Sequence, residues 1–226
     1  MSSFASLSLY EQAIMMLAAL VLFSSFALLA QTRMLNMIHV FAWQGVLLSA
    51  TTALVAMVSG QHHLYTSALL TLCLKALLIP WILHRLIIRL GIRSEVESVV
   101  RPAMVLLAGA SLVVFSYWVA LPIVKISTLI TRNTIAISMA IVLLGMLMII
   151  TRSKAVSQVV GFMAMENGLF FAAVVSTYGM PMVVELGVAF DVLVAAILFG
   201  VFFFQIRASI DSLDIDRLNR LTEIDK

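Results

Sequence analysis

Long apolar runs, separated by short charged stretches, fill most of this chain. A helix needs about 20 apolar residues to cross the hydrocarbon core of a bilayer. The pattern therefore predicts seven transmembrane helices, which together embed roughly two thirds of the chain. The seven runs lie at residues 12–31, 36–59, 64–88, 102–121, 134–151, 156–177 and 183–206.

Composition supports an all-α integral membrane protein. The chain has 226 residues, of which 63% are hydrophobic and 11% charged, and its mean hydropathy is +1.13. About a quarter of the residues of a soluble domain are charged. Little of the chain remains for a soluble catalytic domain, so we expect no catalytic centre within it. No basic segment precedes the first run, so we expect the first helix to be retained and not removed as a signal peptide.

The basic residues between the predicted helices fall mainly on one side of the membrane. The opposite side holds only Lys125 and Arg132. Cytoplasmic loops carry the excess of Lys and Arg in membrane proteins. We therefore place the N-terminus outside and the C-terminus in the cytoplasm. The cytoplasmic set consists of Arg33, Arg85, Arg89, Arg93, Arg101, Arg152, Lys154, Arg207, Arg217, Arg220 and Lys226.

Three ionisable residues lie deep within the apolar runs: Lys75, Glu166 and Asp191. A carboxylate at bilayer depth costs about 2.5 kcal/mol or more on insertion scales, so it must face a protein interior or a water path. Lys75 is eleven residues into its run, Glu166 ten and Asp191 eight. At about 1.5 Å per residue these depths differ by only a few ångströms. The spacing predicts one polar row across the membrane plane.

Lys75 has two interpretations. It is either a structural ion-pair partner of a carboxylate on a neighbouring helix, or a proton-relay group, since a desolvated lysine releases its proton readily. Pro80 lies five residues further on, and its missing N–H should kink the helix there. Such kinks commonly open a hydrated pocket. We therefore favour the relay.

Other polar residues could extend the path. Gln44 lies deep in the second run, and Asn167 directly follows Glu166. Glu185 stands near the outer end of the seventh run, where it is either part of the path or a plain interfacial carboxylate. Gly161 and Gly168 are two turns apart and should allow a neighbouring helix to approach closely.

The sequence predicts no metal or cofactor site. Cys73 is the only cysteine, and we expect it to be a buried packing residue. His62 and His63 are adjacent, so their side chains diverge, and no further ligands accompany them.

A faint internal repeat divides the chain. Residues 27–90 and 147–207 both show a helix, a Thr-Arg turn, a helix with a polar residue at mid-depth, an outer turn and a helix with one deep charge. Two parallel three-helix units joined by one helix would explain this order. The predicted divisions are an N-terminal unit at 1–101, a linking helix and outer loop at 102–133, a C-terminal unit at 134–206 and a cytoplasmic tail at 207–226.

Several motifs resemble a known family. The runs GFMAMENGLFF, PMVVELGVAFDVLVA and SLDIDRLNRL are similar to the membrane subunit called hydrogenase-4 component E, as are AWQGVLL, LLTLCLKALLIPWIL and RPAMVLLAG. The last three helices also resemble the K-type subunit of respiratory complex I and the equivalent subunit of multisubunit sodium/proton antiporters. In that subunit, glutamates on the second and third helices lie on the proton path. Its first glutamate would fall at Met163, whereas this chain has Glu166, one turn later on the same helix face.

The resemblance implies a membrane-arm subunit of a group 4 nickel–iron hydrogenase or formate hydrogenlyase, contributing to proton or sodium translocation. Nickel–iron and iron–sulfur centres would lie in soluble partner subunits, and antiporter-like and H-type subunits would be its membrane partners. The complex would sit in a bacterial or archaeal cytoplasmic membrane. Two alternatives are a stand-alone or antiporter-associated ion transporter subunit and a purely structural scaffold subunit.

Overall fold

Helices and the short turns between them make up the part of the chain that the computed structural model describes, residues 9–90, 101–122, 129–176, 184–198 and 200–201. The predicted all-α class is therefore confirmed. A π-helix, Leu72–Leu78, joins two of the α-helices without a break. The helices are α1 (Leu9–Ala30), α2 (Met34–Ser59), α3 (His63–Thr71), α4 (Ile79–Leu90), α5 (Pro102–Ala120), α6 (Leu129–Thr151), α7 (Ala155–Ser176) and α8 (184–198).

Six helical stretches in the described residues are long and apolar enough to cross a membrane. They coincide with the first six predicted runs, so the chain is a multi-pass membrane protein. The seventh run, 183–206, is described as helical only over part of its length, and its remainder lies outside the described residues. The six stretches are Leu9–Ala30, Met34–Ser59, His63–Arg89, Pro102–Ala120, Asn133–Thr151 and Ala155–Val175.

The outer surface of the helices is apolar. Phe23, Leu107, Ile150 and Leu186 are each more than 70% exposed. A soluble protein rarely exposes contiguous apolar surface of this kind, whereas hydrocarbon solvates it well. These faces are the ones that meet lipid or other membrane helices. Cys73 is also exposed, so its prediction as a buried residue was wrong.

Two helical hairpins, α1–α2 and α6–α7, pack side by side, with α1 against α6 and α2 against α7. Glycines allow α6 and α7 to approach closely. A Cβ atom on Gly145 would lie 2.5 Å from the backbone nitrogen of Met165, and one on Gly168 would lie 2.9 Å from the backbone nitrogen of Val142. Gly161 also contacts α6, so the predicted role of Gly161 and Gly168 is confirmed.

Arg152, in the turn between α6 and α7, ties the two hairpins together at one end. Its Nη2 atom donates hydrogen bonds to the carbonyl oxygens of Leu29, at 2.6 Å, and Gln31, at 3.0 Å. The last carbonyls of a helix have no partner within the helix, so the guanidinium caps the end of α1. Burial lowers the pKa of Arg152 from its ordinary value.

The buried interior consists of two apolar clusters with polar residues between them. One cluster contains Phe41, Leu83 and Met148, and the other contains Leu48 and Phe171. Along five of the helical segments, the chain passes from one cluster to the other at a buried polar residue. These residues are Ser25 on α1, Gln44 on α2, Lys75 in the π-helix, Asn167 on α7 and Asp191 on α8.

Candidate functional site

Lys75 is the centre of this group and is completely buried. It lies in the π-helix that precedes Pro80. Pro80 has no N–H to donate to an earlier carbonyl, and the backbone N–H of Ile79 bonds to the carbonyl of Leu74, five residues before it. The perturbation that the sequence predicts beside Lys75 thus takes the form of a π-helical turn, a feature often found at functional sites.

Gly45 allows α2 to approach the backbone at Lys75. A Cβ atom at position 45 would lie 3.0 Å from the carbonyl carbon of Lys75 and 3.1 Å from the nitrogen of Ala76. A larger residue would therefore separate the two segments. The preceding residue, Gln44, is completely buried beside this close approach of the two segments.

The ammonium group of Lys75 contacts polar groups on two other helices. Its Nζ atom donates hydrogen bonds to Oε2 of Glu166 and, at 2.8 Å, to Oδ1 of Asn167. It lies 3.3 Å from Oδ1 of Asp191. The ring of Phe170 covers it, with the ring centroid 5.0 Å from Nζ, a distance typical of a cation–π contact.

Hydrogen bonds continue from Asn167 to α1. Nδ2 of Asn167 donates to Oε1 of Gln44 at 3.0 Å, and Nε2 of Gln44 donates to Oγ of Ser25 at 2.8 Å. The Ser25 hydroxyl in turn donates to the carbonyl oxygen of Val21 at 3.1 Å. One connected set of contacts therefore crosses the bundle from α1 to α8. We call it the polar layer: Ser25, Gln44, Lys75, Glu166, Asn167 and Asp191.

Formal charges in the polar layer do not balance. Glu166 and Asp191 supply two carboxylates, and among the described residues Lys75 is the one cation that lies against them. Both carboxylates are buried, with Glu166 7% exposed and Asp191 fully enclosed. Among the described residues, neither oxygen of Asp191 accepts a hydrogen bond. An uncompensated charge in such a place is expensive, so the layer favours one additional proton or cation.

The structure brings together five of the six residues that the sequence predicted for the path: Gln44, Lys75, Glu166, Asn167 and Asp191. Glu185 is different. It is exposed on α8, and no described contact joins it to the polar layer. Whether these residues conduct protons remains a prediction.

Sequence reasoning missed Ser25. A serine within an apolar run is a weak signal, because its hydroxyl can bond to a carbonyl of its own helix. The signal for Ser25 in the sequence is the pair Ser24-Ser25 in the middle of the first run.

A groove between α7 and α8 runs from the exposed apolar face of these two helices to the polar layer. Its volume is about 260 Å³ and its wall is almost wholly apolar. Glu166 is the one charged residue among those that line it. The lining residues are Phe162, Met165, Glu166, Leu169, Phe170, Ala173, Leu186, Gly187 and Phe190.

The described residues contain no group of three or more His, Cys, Asp or Glu side chains that could hold a metal ion. The polar layer itself supplies ion pairs and amide hydrogen bonds.

Known proteins resemble this chain over most of its length. It is 32% identical over 187 residues to Uncharacterized protein Rv0085 of Mycobacterium tuberculosis, covering 82% of this chain and 85% of the relative. It is 24% identical over 181 residues to hydrogenase-4 component E of Escherichia coli (strain K12), covering 80% and 84%. The component E of Shigella flexneri matches at the same level. No protein-family model and no solved structure matches the chain.

The two levels of sequence identity support relationships of different closeness. The similarity to hydrogenase-4 component E supports the resemblance seen in the motifs, at the level of a distant relationship. With 32% identity across most of both chains, this multi-pass membrane protein belongs to the same family as the uncharacterised protein Rv0085 of Mycobacterium tuberculosis.

Proposed function

We propose that this chain is a non-catalytic subunit in the membrane arm of a complex related to the group 4 nickel–iron hydrogenases, where it contributes to proton or sodium translocation. Two findings support the proposal. Similarity to hydrogenase-4 component E extends over 80% of the chain. The polar layer crosses the interior of the bundle at the depth where ionisable residues usually mark ion pathways.

The observation that carries the proposal is that Lys75 contacts both buried carboxylates. Its Nζ atom bonds to Glu166 and lies 3.3 Å from Asp191. With one lysine between two carboxylates, the layer is neutral when it holds one further proton. Lys75 then pairs with whichever carboxylate is ionised. When the ammonium moves between them, Lys75 donates one of its protons to the ionised carboxylate and accepts the proton of the other carboxyl group, so that one proton passes between Glu166 and Asp191 and the lysine stays charged.

The amide side chains have a supporting role in this mechanism. Asn167 accepts a hydrogen bond from Lys75 and donates one to Gln44. A primary amide does not readily ionise, so these two groups position the lysine without carrying the proton themselves. The hydroxyl of Ser25 can accept and donate, and it extends the contacts to α1. Glu185, exposed on α8, is our candidate for exchange at the outer surface.

The redox chemistry would then occur in other subunits, which would hold the nickel–iron and iron–sulfur centres. Antiporter-like and H-type subunits would be the membrane partners. We propose a bacterial or archaeal cytoplasmic membrane, with the N-terminus outside and the tail in the cytoplasm. We also retain the two parallel three-helix units: α2 and α7 occupy corresponding positions in them, and Gln44 meets Asn167 where those helices cross.

A structural role is the main alternative. Gln44 and Asn167 bond to each other and to further partners, which would specify the packing of α1, α2 and α7 without any ion movement. Buried polar networks fix helix register in other proteins. An antiporter-associated transporter subunit is the other alternative, and neighbouring reading frames would distinguish it: a large hydrogenase subunit beside this one supports our proposal.

Glu166→Gln tests the relay. The substitution keeps the shape of the side chain and removes its titration. In inverted vesicles that contain the whole complex, we expect loss of proton uptake driven by the redox reaction, followed with a pH-sensitive dye, while subunit content stays normal. Glu11→Gln, in the first turn of α1 and outside the polar layer, is the matched carboxylate control and should leave uptake near the wild-type rate. Uptake at the wild-type rate with normal subunit content would disprove the relay, and collapse of assembly would favour the structural role.

A further inference from the structure

We infer that the groove between α7 and α8 is a binding site for a lipophilic amine, which enters from the membrane and places its ammonium group against Glu166. The inference does not depend on translocation, because it rests on the shape, lining and charge of the groove. It assigns to Glu166 an interaction with a ligand from outside the chain.

The lining of the groove suits an apolar cation. Eight of the nine lining residues carry no charge, and the ninth is Glu166. Three of the eight are phenylalanines, and the rings of Phe162 and Phe190 lie 5.7 Å apart between their centroids. Aromatic faces attract cations, and the attraction strengthens where water is excluded. An alkyl chain in contact with the exposed Leu186 would continue into the hydrocarbon.

Glycine at position 187 shapes the inner end of the groove. A Cβ atom there would lie 2.8 Å from a ring carbon of Phe170 and 3.8 Å from Oε1 of Glu166. Oε2 accepts from Lys75, whereas Oε1 is the carboxylate oxygen within 3.8 Å of that Cβ position. A ligand N–H group could therefore bond to Glu166 without displacing Lys75.

The charge of the polar layer identifies the occupant as a cation. The layer has two carboxylates and one lysine. An added ammonium at Glu166 would leave Lys75 to compensate Asp191 and would make the charges equal. Neither a neutral alcohol nor a fatty acid does this. Asp191 is fully enclosed and does not line the groove, so Glu166 alone is accessible to such a ligand.

Dicyclohexylcarbodiimide provides the assay, because it reacts with protonated carboxyl groups from the apolar phase. The acid adds across one C=N bond, its proton passes to nitrogen, and the acyl group then migrates from oxygen to nitrogen to give a stable N-acylurea. In membranes that contain the whole complex, mass spectrometry should find the adduct on Glu166 and not on Asp191. Dodecylamine at about ten times its Kd should slow labelling about tenfold, and dodecanol should not.

Two tryptophan variants test the groove without altering its charge. Leu186→Trp should narrow the groove and lower both labelling and protection by dodecylamine. Leu193→Trp is the matched control, because Leu193 is exposed on the same helix but does not line the groove. Equal effects of the two variants would contradict the inference.

Three further results would overturn the inference. They are equal protection by dodecanol, labelling of Asp191 in place of Glu166, and labelling of Glu166 in the isolated full chain but not in the complex. The last result would mean that a partner helix fills the groove. Loss of proton uptake in the Glu166→Gln variant is a separate measurement, so translocation and amine binding can fail independently.

Discussion

Replacing Lys75 with methionine would remove the one cation that, in the described part of the chain, lies against Glu166 and Asp191. Methionine has a similar length and no charge, so the change leaves packing largely intact and isolates the electrostatic effect. Lys75 is completely buried, and it contacts both carboxylates. Two buried carboxylates would then have no cation between them.

The magnitude follows from the known behaviour of buried ion pairs. Breaking such a pair by removing one partner costs about 3–5 kcal/mol, because the remaining charge is left uncompensated. For a chain of this size each kcal/mol lowers Tm by roughly 2–4 °C, so the expected loss is on the order of 6–20 °C. The hydrogen bond from Lys75 to Asn167 is lost as well.

Thermal unfolding of the purified protein in mild detergent measures this effect, and the three tryptophans of the chain provide an intrinsic signal. The control is the triple variant Lys75→Met, Glu166→Gln, Asp191→Asn. It contains no charge in the polar layer, and neutral replacements of buried ion pairs are often close to neutral in stability. We therefore expect the triple variant to recover most of the loss. If the single variant does not accumulate, the abundance of both variants in membranes gives the same comparison.

Two results would refute this reasoning. Wild-type stability of Lys75→Met would mean that the carboxylates do not depend on the lysine. A triple variant as unstable as the single one would mean that the shape of the lysine and its bond to Asn167 matter, and not its charge.

Three other predictions concern packing and topology. Gly145→Ala should destabilise the protein by about 1–3 kcal/mol, because its Cβ atom would lie 2.5 Å from the backbone of Met165, and thermal unfolding measures the loss; an unchanged Tm would contradict it. Arg152→Gln should remove two charge-assisted hydrogen bonds to the end of α1, worth about 1.5–3 kcal/mol each, and increase hydrogen exchange there; unchanged exchange would argue against the cap. A reporter fused after Lys226 should be active on the cytoplasmic side, and activity outside would reverse the topology.

The sequence by itself determined the class of the protein and the positions of six candidate spans. The bilayer imposes a length and an apolar composition on each helix, and both can be read without knowledge of neighbours. For the same reason the sequence identified Lys75, Glu166 and Asp191, because a charge in a long apolar run is conspicuous and costly. It could also place them at a similar depth, since the rise of a helix is fixed.

Only the tertiary structure decided which of these residues meet. Depth within a helix does not give its rotation or its neighbours, so the sequence could not say that Lys75 contacts both carboxylates. The same limit explains the wrong prediction for Cys73. Cys73 and Lys75 are two residues apart, yet one is exposed and the other buried.

The sequence also could not show which side chains form hydrogen bonds with one another. The hydroxyl of Ser25 gave almost no signal, because a serine in a helix can bond to its own backbone; its bond to Gln44 depends on how α1 and α2 pack. The groove beside Glu166 is lined by side chains of both α7 and α8, and a Cβ atom on Gly187 would clash with the ring of Phe170. Apolar length is a property of one segment, whereas a buried contact or a groove is a property of two or more packed segments, and only the folded chain defines it.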